Sequence, residues 1–275
     1  GSEMCIRDRQ ISMQEAIAEV SSGCTLALGG MTLYRRPMAF VHALLQESLQ
    51  HNRLTNLTLL AFTASLESDL LVGAGMISKV RSCYFGMEIF GLAPMFTYYA
   101  NRGEIEVIEE TEASLALGIR ADIAGIGFMP GRAWMGTDLP KLRPDVRTVI
   151  DPYSGEELIA FPAIRADVAV IHALKADLHG NALIGNNKGI DEELSGASEV
   201  TIITAEQIVP ELTETNLIAP YVDAVVHAPS GALPSSCHPY YPLDGKAFLA
   251  YTEQVSDPQS FEKYLQTYLA QNSAS

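Results

Sequence analysis

The sequence predicts an α/β protein with an open, largely parallel sheet and helices on both of its faces. Three observations predict this class. Short apolar runs alternate along the chain with amphipathic segments. The runs are apolar at every position, as in strands that are buried on both faces. Turn residues separate the two kinds of segment. With 48% hydrophobic residues, the 275-residue chain can bury one large core. We therefore expect a single domain over residues 10–275, with ligands bound beyond the carboxyl ends of the strands.

The predicted elements begin after residues 1–9. That segment, "GSEMCIRDR", has neither an apolar run nor a periodicity, so we interpret it as non-native sequence or a tag remnant. Ser12 and Glu15 have the spacing of a capping box, which begins a helix that Gly23 ends. The strand "TLALG" follows, and Pro37 suits the first position of the next helix. The same alternation predicts the strands "LTLLAF", "KVRSCYF" and "EIEVIE" and helices within "LESDLLVGAG", "PMFTYYANRG" and "EASLALGIRADIAGIG".

The second half of the chain repeats this alternation. Apolar runs predict the buried strands "DVAVIHA", "VTIITA" and "VDAVVHA". Gly180 and Asn181 lie between two strand-like pieces in "ADLHGNALI", which indicates a hairpin turn. The chain ends in an amphipathic helix, whose apolar face consists of Phe261, Tyr264, Leu265, Tyr268 and Leu269.

Charge and composition exclude several kinds of partner. A formal net charge of −15 argues against nucleic acid and against anionic membrane surfaces. Residues 1–150 carry 13 Lys and Arg against 16 Asp and Glu, whereas residues 151–275 carry 5 against 17, so an anionic ligand would meet its cations in the first half. The sequence has no apolar run of about 18 residues and no signal peptide. Its four widely spaced cysteines are typical of free thiols, and we expect a cytoplasmic protein.

Motifs for several catalytic classes are absent from the sequence. No G-x-G-x-x-G follows the first strand, and there is no phosphate-binding P-loop. The six histidines form no ligand motif such as H-E-x-x-H, so we expect no metal, and no G-x-S-x-G elbow occurs. Cys237 next to His238 superficially suggests a nucleophile pair, but neighbouring residues rarely have the required geometry.

An ordered series of motifs runs from about Ser12 to Glu253. It comprises "ALGG", "RRPMAFV", "MGTDLPK", "DPYSGEELIAFPAIRADVAVIHALKADLHGNA", "VTIITAEQIV" and "VDAVVHAPSGALPSSCHPYY". Together these motifs resemble the A (α) subunit of family I CoA-transferases, in the glutaconate/3-oxoacid CoA-transferase branch. The resemblance implies the CoA-transferase-like fold and a partner, the B (β) subunit.

The resemblance also implies a ping-pong reaction. A glutamate in the B subunit performs the attack on an acyl-CoA thioester, a glutamyl-CoA thioester forms, and a second carboxylic acid then collects the coenzyme A. Coenzyme A thioesters and carboxylic acids are therefore the expected substrates, with no bound cofactor, and the main nucleophile is expected in the partner subunit.

The turn "GGMT" after the first strand is the first candidate site. The resemblance implies that the backbone N–H groups of Gly29 and Gly30, with those of Met31 and Thr32, form the oxyanion and CoA-binding site that faces the glutamate. Glycine lets the backbone approach a ligand closely, and preorganised donors of this kind contribute roughly 3 kcal/mol each to lowering a barrier. A tight turn between strand and helix explains the two glycines equally well.

Arg35 and Arg36 are the candidate substrate-binding cations. Either could pair with the phosphates of coenzyme A or with a substrate carboxylate. Adjacent residues near a helix start do not point the same way, so we expect one of them to meet solvent or the partner subunit.

Glu88 and Glu112 are the candidate catalytic carboxylates of this chain. Glu88 lies between glycines in an apolar loop, "CYFGMEIFGLAP", that loosely resembles the nucleophile loop of the B subunit; an apolar setting would raise its pKa. Alternatively, it lies at the rim of the subunit interface. Glu112 follows the plausible N-cap Thr111 and would gain from the helix dipole. A related branch, which cleaves carbon–carbon bonds in cyclic CoA thioesters, uses an A-subunit glutamate in a similar place.

Further loops match the family and leave alternatives open. Gly136, Thr137 and Asp138, and the segment Asp177 to Asn181, either line the site or form ordinary turns. "GALPSSC" departs from the usual family form, which has His where Leu233 stands. If that His binds a substrate carboxylate in the family, the departure implies a different preference for the acid. Two alternatives to a transferase subunit remain: a CoA-thioester hydrolase or lyase that uses Glu112, and a non-catalytic CoA-binding or regulatory subunit.

Overall fold

The computed structural model describes residues 9–51 and 54–272, with a central eight-stranded sheet. Its strands are β1 (Thr25–Leu28), β2 (Leu57–Ala64), β3 (Ile77–Phe85), β4 (Glu106–Glu109), β8 (Ala166–Asp177), β9 (Ala182–Leu183), β10 (Ser198–Val209) and β11 (Ala224–His227). The order is β11-β10-β8-β1-β2-β3-β4, all neighbours along this path are parallel, and β9 pairs with β8 antiparallel. These observations confirm the predicted fold class.

Helices cover both faces of this sheet, as predicted. They are α1 (Met13–Ile17), α2 (Met38–Gln50), α3 (Leu66–Gly73), α4 (Pro94–Ala100), α5 (Glu112–Ile123), α6 (Leu139–Leu142), α7 (Asp191–Gly196), α8 (Gly245–Gln254) and α9 (Pro258–Asn272). Alternate residues of β1 face the two sides: Leu26 and Leu28 belong to the larger core cluster, and Ala27 to the core on the other side. Residues of α1–α4, α8 and α9 pack into the larger core, and residues of α5 and α7 into the other.

Local sequence signals locate the start of α1 and the turn after β8, whereas two other predicted element ends need correction. The capping box of Ser12 and Glu15 begins α1, although the helix ends at Ile17, well before Gly23. Pro37 is the N-cap of α2 rather than its first helical residue. The predicted hairpin turn joins β8 to β9, with Gly180 at φ +100°.

A second, three-stranded antiparallel sheet was not predicted. Its strands are β5 (Phe128–Gly131), β6 (Arg147–Ile150) and β7 (Glu157–Pro162), in the order β5-β7-β6. Pro130 and Pro162 lie in these short strands, and proline normally argues against a strand. The sheet follows α5 in the chain and packs on that helix through Leu117.

The start of the described chain corrects the boundary at residue 9. The Arg9 N–H donates to the Leu178 carbonyl over 3.1 Å, and the Arg9 carbonyl accepts from the Val225 N–H over 2.8 Å. Arg9 is therefore part of the fold, whereas the interpretation of residues 1–8 as non-native lies outside the described residues. Within the described ranges, no helix is both long and apolar enough to cross a bilayer.

Candidate active site

The carboxyl ends of β1–β4 meet at one edge of the sheet, where the turn after β1 contains both predicted glycines. Gly30 has φ +90°, and a β-carbon there would lie 2.6 Å from the Arg35 carbonyl oxygen. A β-carbon on Gly29 would lie 2.9 Å from Asp191 Oδ1. Side chains do not fit at these distances, so the tight packing of the turn requires both glycines.

The four backbone N–H groups of this turn all donate within the chain. The donations are Gly29 to the Val170 carbonyl (2.9 Å), Gly30 to the Asp191 carboxylate (3.0 and 3.1 Å), Met31 to the Tyr34 carbonyl (3.0 Å) and Thr32 to Thr63 Oγ1 (2.7 Å). Donation to a thioester oxygen would require one of these bonds to break. The oxyanion role of the turn stays a prediction, and it requires that one of these internal hydrogen bonds breaks when the thioester binds.

Arg35 is fully buried in an internal ion pair. Its Nη2 lies 3.0 Å from Asp191 Oδ2 and also donates to the Asn187 carbonyl, and its Nη1 donates to the His172 carbonyl over 2.7 Å. Asp191 therefore connects the guanidinium to the Gly30 N–H group. The expectation that Arg35 binds an outside anion is wrong, because its charge is already paired inside the fold.

Arg36 is fully buried as well, on the opposite face of the sheet. Its Nη2 pairs with Glu67 Oε1, which also accepts from the Ser65 N–H and the Ser68 hydroxyl. The two arginines thus diverge, as adjacency requires, and neither side chain reaches solvent. The expectation for Arg36 is corrected for the same reason as that for Arg35.

Glu112 lies exposed at the amino end of α5, as predicted. Thr111 caps the helix, since its Oγ1 accepts from the Ser114 N–H, and Ser114 Oγ accepts from the Thr111 N–H over 2.7 Å. Burial raises the pKa of the nearby Cys83 thiol to about 11, and the negative charge of Glu112 adds to this effect. Leu115 of α5 and Cys83 of β3 pack in the same core cluster, so the start of α5 lies beside the carboxyl half of β3.

Phe62 and Gly189 connect Glu112 to the turn after β1. A β-carbon on Gly189 would lie 3.6 Å from Met31 Sδ and 3.9 Å from Phe62, so these three residues lie together. The Phe62 carbonyl in turn accepts from the Cys83 thiol, the neighbour of Glu112, over 2.7 Å. Glu112 and Met31 thus belong to the same strand-end edge. No sequence pattern singled out Phe62 or Gly189, because their proximity depends on the loop before α7.

Gly136 and Thr137 are also brought to this edge. The Thr137 N–H and hydroxyl both donate to the Trp134 carbonyl, over 3.1 and 2.8 Å. Trp134 Nε1 donates to Thr111 Oγ1 over 2.9 Å, which fixes the exposed turn beside the start of α5. Their role in substrate binding stays a prediction. Asp138 pairs with Lys141 at the surface.

Glu88 does not have the apolar setting that the sequence indicated. Its side chain is in solvent, and its backbone has φ +53°. The neighbouring Ile89 and Leu92 are also in solvent, 91% and 71% exposed. The apolar side chains of this loop therefore face solvent, and the Glu88 carboxyl does not have the apolar surroundings that the sequence indicated.

The segment Asp177 to Asn181 is a hydrogen-bonded turn. Asp177 Oδ1 accepts from the His179 and Asn181 N–H groups, and Oδ2 accepts from the Asn181 side chain. These bonds explain the segment without a ligand. The loop containing Leu233 instead supports the turn after β1, because the Arg35 N–H donates to the Ser236 carbonyl over 2.8 Å.

Cys237 is buried in a polar cluster that the sequence did not reveal. Burial raises the pKa of its thiol to about 12, and His238 is exposed, so the two do not form a nucleophile pair. The ligand atoms of Cys237, His172 and Glu206 lie within 4.8 Å of one another, the only such group with metal-ligand spacing among the described residues. Glu206, however, already accepts from His172 Nε2 at 2.8 Å and from the Tyr241 hydroxyl. The cluster is a satisfied hydrogen-bond network.

Known proteins resemble this chain over nearly its whole length. The family model described as Coenzyme A transferase matches residues 10–228. The A subunit of 3-oxoadipate CoA-transferase from Pseudomonas knackmussii is 32% identical over 267 residues, which cover 94% of this chain and 93% of that protein. The cholesterol ring-cleaving hydrolase IpdA subunit of Rhodococcus jostii is 35% identical over 283 residues, covering 96% and 93%. Among solved structures, glutaconate coenzyme A-transferase from Acidaminococcus fermentans has a TM-score of 0.86 at 26% identity, over 95% of this chain and 88% of that one.

Proposed function

This chain belongs to the coenzyme A transferase family, and on that premise we propose that it is the A subunit of a two-subunit enzyme that moves coenzyme A between carboxylic acids. The observation that carries the proposal is the family match, because residues 10–228 include every strand of both sheets and the whole candidate edge. The similarity to the A subunit of a CoA-transferase, along 94% of the chain, supports the same assignment.

In the proposed reaction, a glutamate supplied by the B subunit forms a bond to the carbonyl carbon of an acyl-CoA thioester. The carbon–sulfur bond breaks, which leaves a mixed anhydride of the glutamate and the acyl group together with the coenzyme A thiolate. The thiolate then attacks the glutamate carbonyl carbon of the anhydride, and the bond from that carbon to the bridging oxygen breaks. The first acid leaves as its carboxylate, and coenzyme A stays as the thioester of the glutamate. A second carboxylate then takes the coenzyme A by the reverse steps, which restores the glutamate. Coenzyme A thioesters and carboxylates are thus the substrates, and the reaction needs no further reactant or cofactor.

The need for a second subunit is consistent with the nucleophiles that this chain offers. The thiols of Cys83 and Cys237 have pKa values raised to about 11 and 12, so both are protonated at neutral pH. The two candidate carboxylates, Glu88 and Glu112, are both exposed to solvent. None of these groups has the activated setting of a covalent catalyst.

We assign the turn after β1 the task of a rigid wall for the thioester. Asp191 and Arg35 fix the backbone of this turn from behind. They fill the space that side chains on Gly29 and Gly30 would occupy, so the two glycines let the turn pack tightly against them. Met31 and Thr32 remain half-exposed at the mouth of the turn, where they would contact the acyl-CoA.

The loop between β3 and α4 is the proposed docking site for the B subunit. The loop is well ordered by contacts: the Met87 N–H donates to the Gly91 carbonyl over 2.9 Å, and Phe90 stacks on Phe248 with ring centroids 5.6 Å apart. At its tip Ile89 and Leu92 are 91% and 71% exposed, beside the candidate edge. Large aliphatic groups held rigidly in water are typical anchors of a protein interface.

A second candidate function is hydrolytic cleavage of a cyclic CoA thioester, with Glu112 as the reacting carboxylate. The position of Glu112 on the same edge as Met31 favours it, as does the similarity to a ring-cleaving hydrolase subunit. The two functions differ in whether the chemistry needs a carboxylate of this chain.

Substitution of Glu112 separates the two candidates. In the complex with the B subunit, Glu112→Gln should leave acid-dependent CoA transfer within about threefold of wild type, whereas loss of a reacting acid–base group costs about 100-fold or more. Glu104→Gln, an exposed change just before β4, is the matched control. Water-dependent turnover without an acceptor acid, abolished by Glu112→Gln, would establish hydrolysis instead.

We propose a cytoplasmic location for the enzyme. The described cysteines Cys24, Cys83 and Cys237 are all free thiols. Free thiols are typical of proteins that work in a reducing compartment.

A further inference from the structure

Glu206 of β10 accepts hydrogen bonds from three different segments of the fold. It is 7% exposed and, by strand alternation, lies on the same face of the sheet as Ile202 of the larger core. Its Oε1 accepts from His172 Nε2 of β8 over 2.8 Å and from the Tyr241 hydroxyl. Its Oε2 accepts from the Ser230 N–H over 2.7 Å. A buried carboxylate with three donors is held in one position.

The protonation states of this cluster follow from its contacts. Burial would raise the pKa of Glu206, but the hydrogen bonds from His172 and Tyr241 outweigh it and hold that pKa below its ordinary value. Burial lowers the pKa of His172, although Glu206 opposes this change, so the ring is neutral at pH 7. The ring therefore donates from Nε2 to Glu206, and its Nδ1 accepts from the Thr204 hydroxyl over 2.9 Å. At neutral pH Glu206 is an acceptor only, and each of its partners is a donor.

Two of these donors lie near the ends of the loop after β11, residues 229–241. Ser230 has φ +58°, a conformation that residues other than glycine keep only where their surroundings fix it. Tyr241 donates to Glu206, and its hydroxyl oxygen accepts from the Ala232 N–H over 3.0 Å. A single carboxylate therefore holds both ends of this loop.

The loop after β11 in turn holds the chain just beyond the turn after β1. The Arg35 N–H donates to the Ser236 carbonyl over 2.8 Å, and the Ser236 N–H donates to the Leu33 carbonyl over 2.9 Å. The Arg36 N–H donates to Ser235 Oγ over 3.2 Å. The position of this backbone thus depends on the loop.

A second route leads from Glu206 to the same arginine. Glu206 fixes the His172 ring, and the His172 carbonyl accepts from Arg35 Nη1 over 2.7 Å. The Arg35 guanidinium also pairs with Asp191, which accepts from the Gly30 N–H. The backbone and the side chain of Arg35 are therefore both connected to Glu206.

We propose that Glu206 is a positioning residue for the turn after β1, and that it acts through the loop after β11 and through His172. Its two oxygens are already used by three internal donors, so it does not touch the substrate itself. The catalytic part of this proposal rests on the proposed function, in which the turn faces the thioester. A displacement of about 1 Å at such a site lowers a rate by about 100-fold.

Glu206→Gln tests the positioning in the isolated full-length chain. The substitution replaces one carboxylate oxygen by an amide NH₂ group, which meets a donor whichever way it points, so at least one of the three bonds breaks. Hydrogen exchange measures the result without substrate or B subunit. The N–H groups of Arg35 and Arg36 should exchange about tenfold faster than in wild type.

Thr204→Val is the matched control. Thr204 is fully buried, and the one hydrogen bond of its hydroxyl among the described residues is that to His172 Nδ1. The substitution therefore removes a buried bond of the same cluster, but none that reaches the loop after β11. Exchange at Arg35 and Arg36 should stay within about twofold of wild type.

Steady-state kinetics of the complex with the B subunit test the catalytic part. Glu206→Gln should lower kcat about 10- to 100-fold and leave KM for the acyl-CoA within about twofold, because an altered turn weakens contacts made in the transition state. Thr204→Val should change neither constant by more than about twofold. Circular dichroism and capture of the B subunit show that each variant is folded. Tyr241→Phe, which keeps the ring and loses only the hydroxyl, should change exchange and kcat in the same direction as Glu206→Gln, and it decides the question if Glu206→Gln does not fold.

The two measurements separate this proposal from the proposed function. Unchanged exchange at Arg35 and Arg36 in folded Glu206→Gln would overturn the positioning role, as would equal effects of Thr204→Val. Faster exchange with an unchanged kcat would overturn the catalytic part. A wild-type complex that transfers no coenzyme A would contradict the proposed function, whereas the exchange result would still decide whether Glu206 positions the turn.

Discussion

Asp191 is the residue on which the turn after β1 depends. Its carboxylate accepts from the Gly30 N–H and pairs with Arg35, and both partners are buried. The sequence contains no sign of this role, because Asp191 resembles an ordinary acid in the first turn of a helix, 161 residues from Gly30. Likewise, in the sequence alone Arg35 and Arg36 resemble ligand-binding cations, because no neighbouring residue in the chain reveals the distant acids that pair with them.

Removal of the Asp191 carboxylate should destabilise the protein strongly. Asp191→Ala leaves the Arg35 charge buried without its counter-ion and the Gly30 N–H without an acceptor, so the free energy of unfolding should fall by about 3–5 kcal/mol. Urea unfolding measures this. Glu192→Ala, which breaks only the surface pair with Lys188, should cost less than about 1 kcal/mol. Equal effects of the two substitutions would contradict the account.

Asp69 should make stability depend on pH. Burial is the main cause that raises the pKa of Asp69 to about 6, and the charge of Glu67 acts in the same direction. Hydrogen bonds from the Tyr251 hydroxyl and from the N–H groups of Phe96 and Met95 partly offset this rise. Since the unfolded chain releases this proton first, near pH 4, the contribution of Asp69 to stability falls as pH rises from about 4 to about 6. The loss amounts to about 3 kcal/mol.

The comparison with Asp69→Asn isolates this effect from the other carboxylates. The difference in unfolding free energy between wild type and variant should shift against wild type by about 2 kcal/mol between pH 4 and pH 7. Unfolding by urea at a series of pH values gives that difference. A difference that stays constant over this range would show that Asp69 ionises normally in the fold.

At the scale of elements, hydrophobic periodicity and capping residues predicted helices correctly where the helix packs one face against one core. The capping box of α1 and the N-cap Thr111 of α5 follow from neighbouring residues, and the structure confirms them. The small sheet escaped prediction because its strands are short, contain prolines and are apolar on both faces, so they lack the alternation that indicates a strand.

The loop between β3 and α4 should control binding of the B subunit. Ile89→Asp places a charge at a site that is 91% exposed in the free chain, so the chain should fold normally but show roughly 100-fold weaker binding to the B subunit. Surface plasmon resonance or co-purification measures the affinity. Leu142→Asp, at another exposed leucine, serves as the control. Unchanged affinity in Ile89→Asp would exclude this loop from the interface.

At the scale of the whole molecule, the candidate site is an open edge. Met31, Glu112 and Thr137 come from three distant parts of the sequence, and the structure places each of them near the carboxyl ends of the strands. That placement was predictable in outline, because parallel strands bring their carboxyl ends together. A shared role of these residues in one site stays a prediction. The contacts that connect them, through Phe62 and Trp134, depend on packing between elements and left no pattern in the sequence.

The central claim is that this chain transfers coenzyme A only together with a B subunit that supplies the glutamate. The most direct measurement is acid-dependent exchange of coenzyme A by this chain in isolation, by the B subunit in isolation and by the mixture. We predict exchange only in the mixture, with loss of activity when hydroxylamine or borohydride is added during turnover, because both reagents attack the glutamyl-CoA thioester. Exchange by the isolated chain at the rate of the mixture would contradict the account.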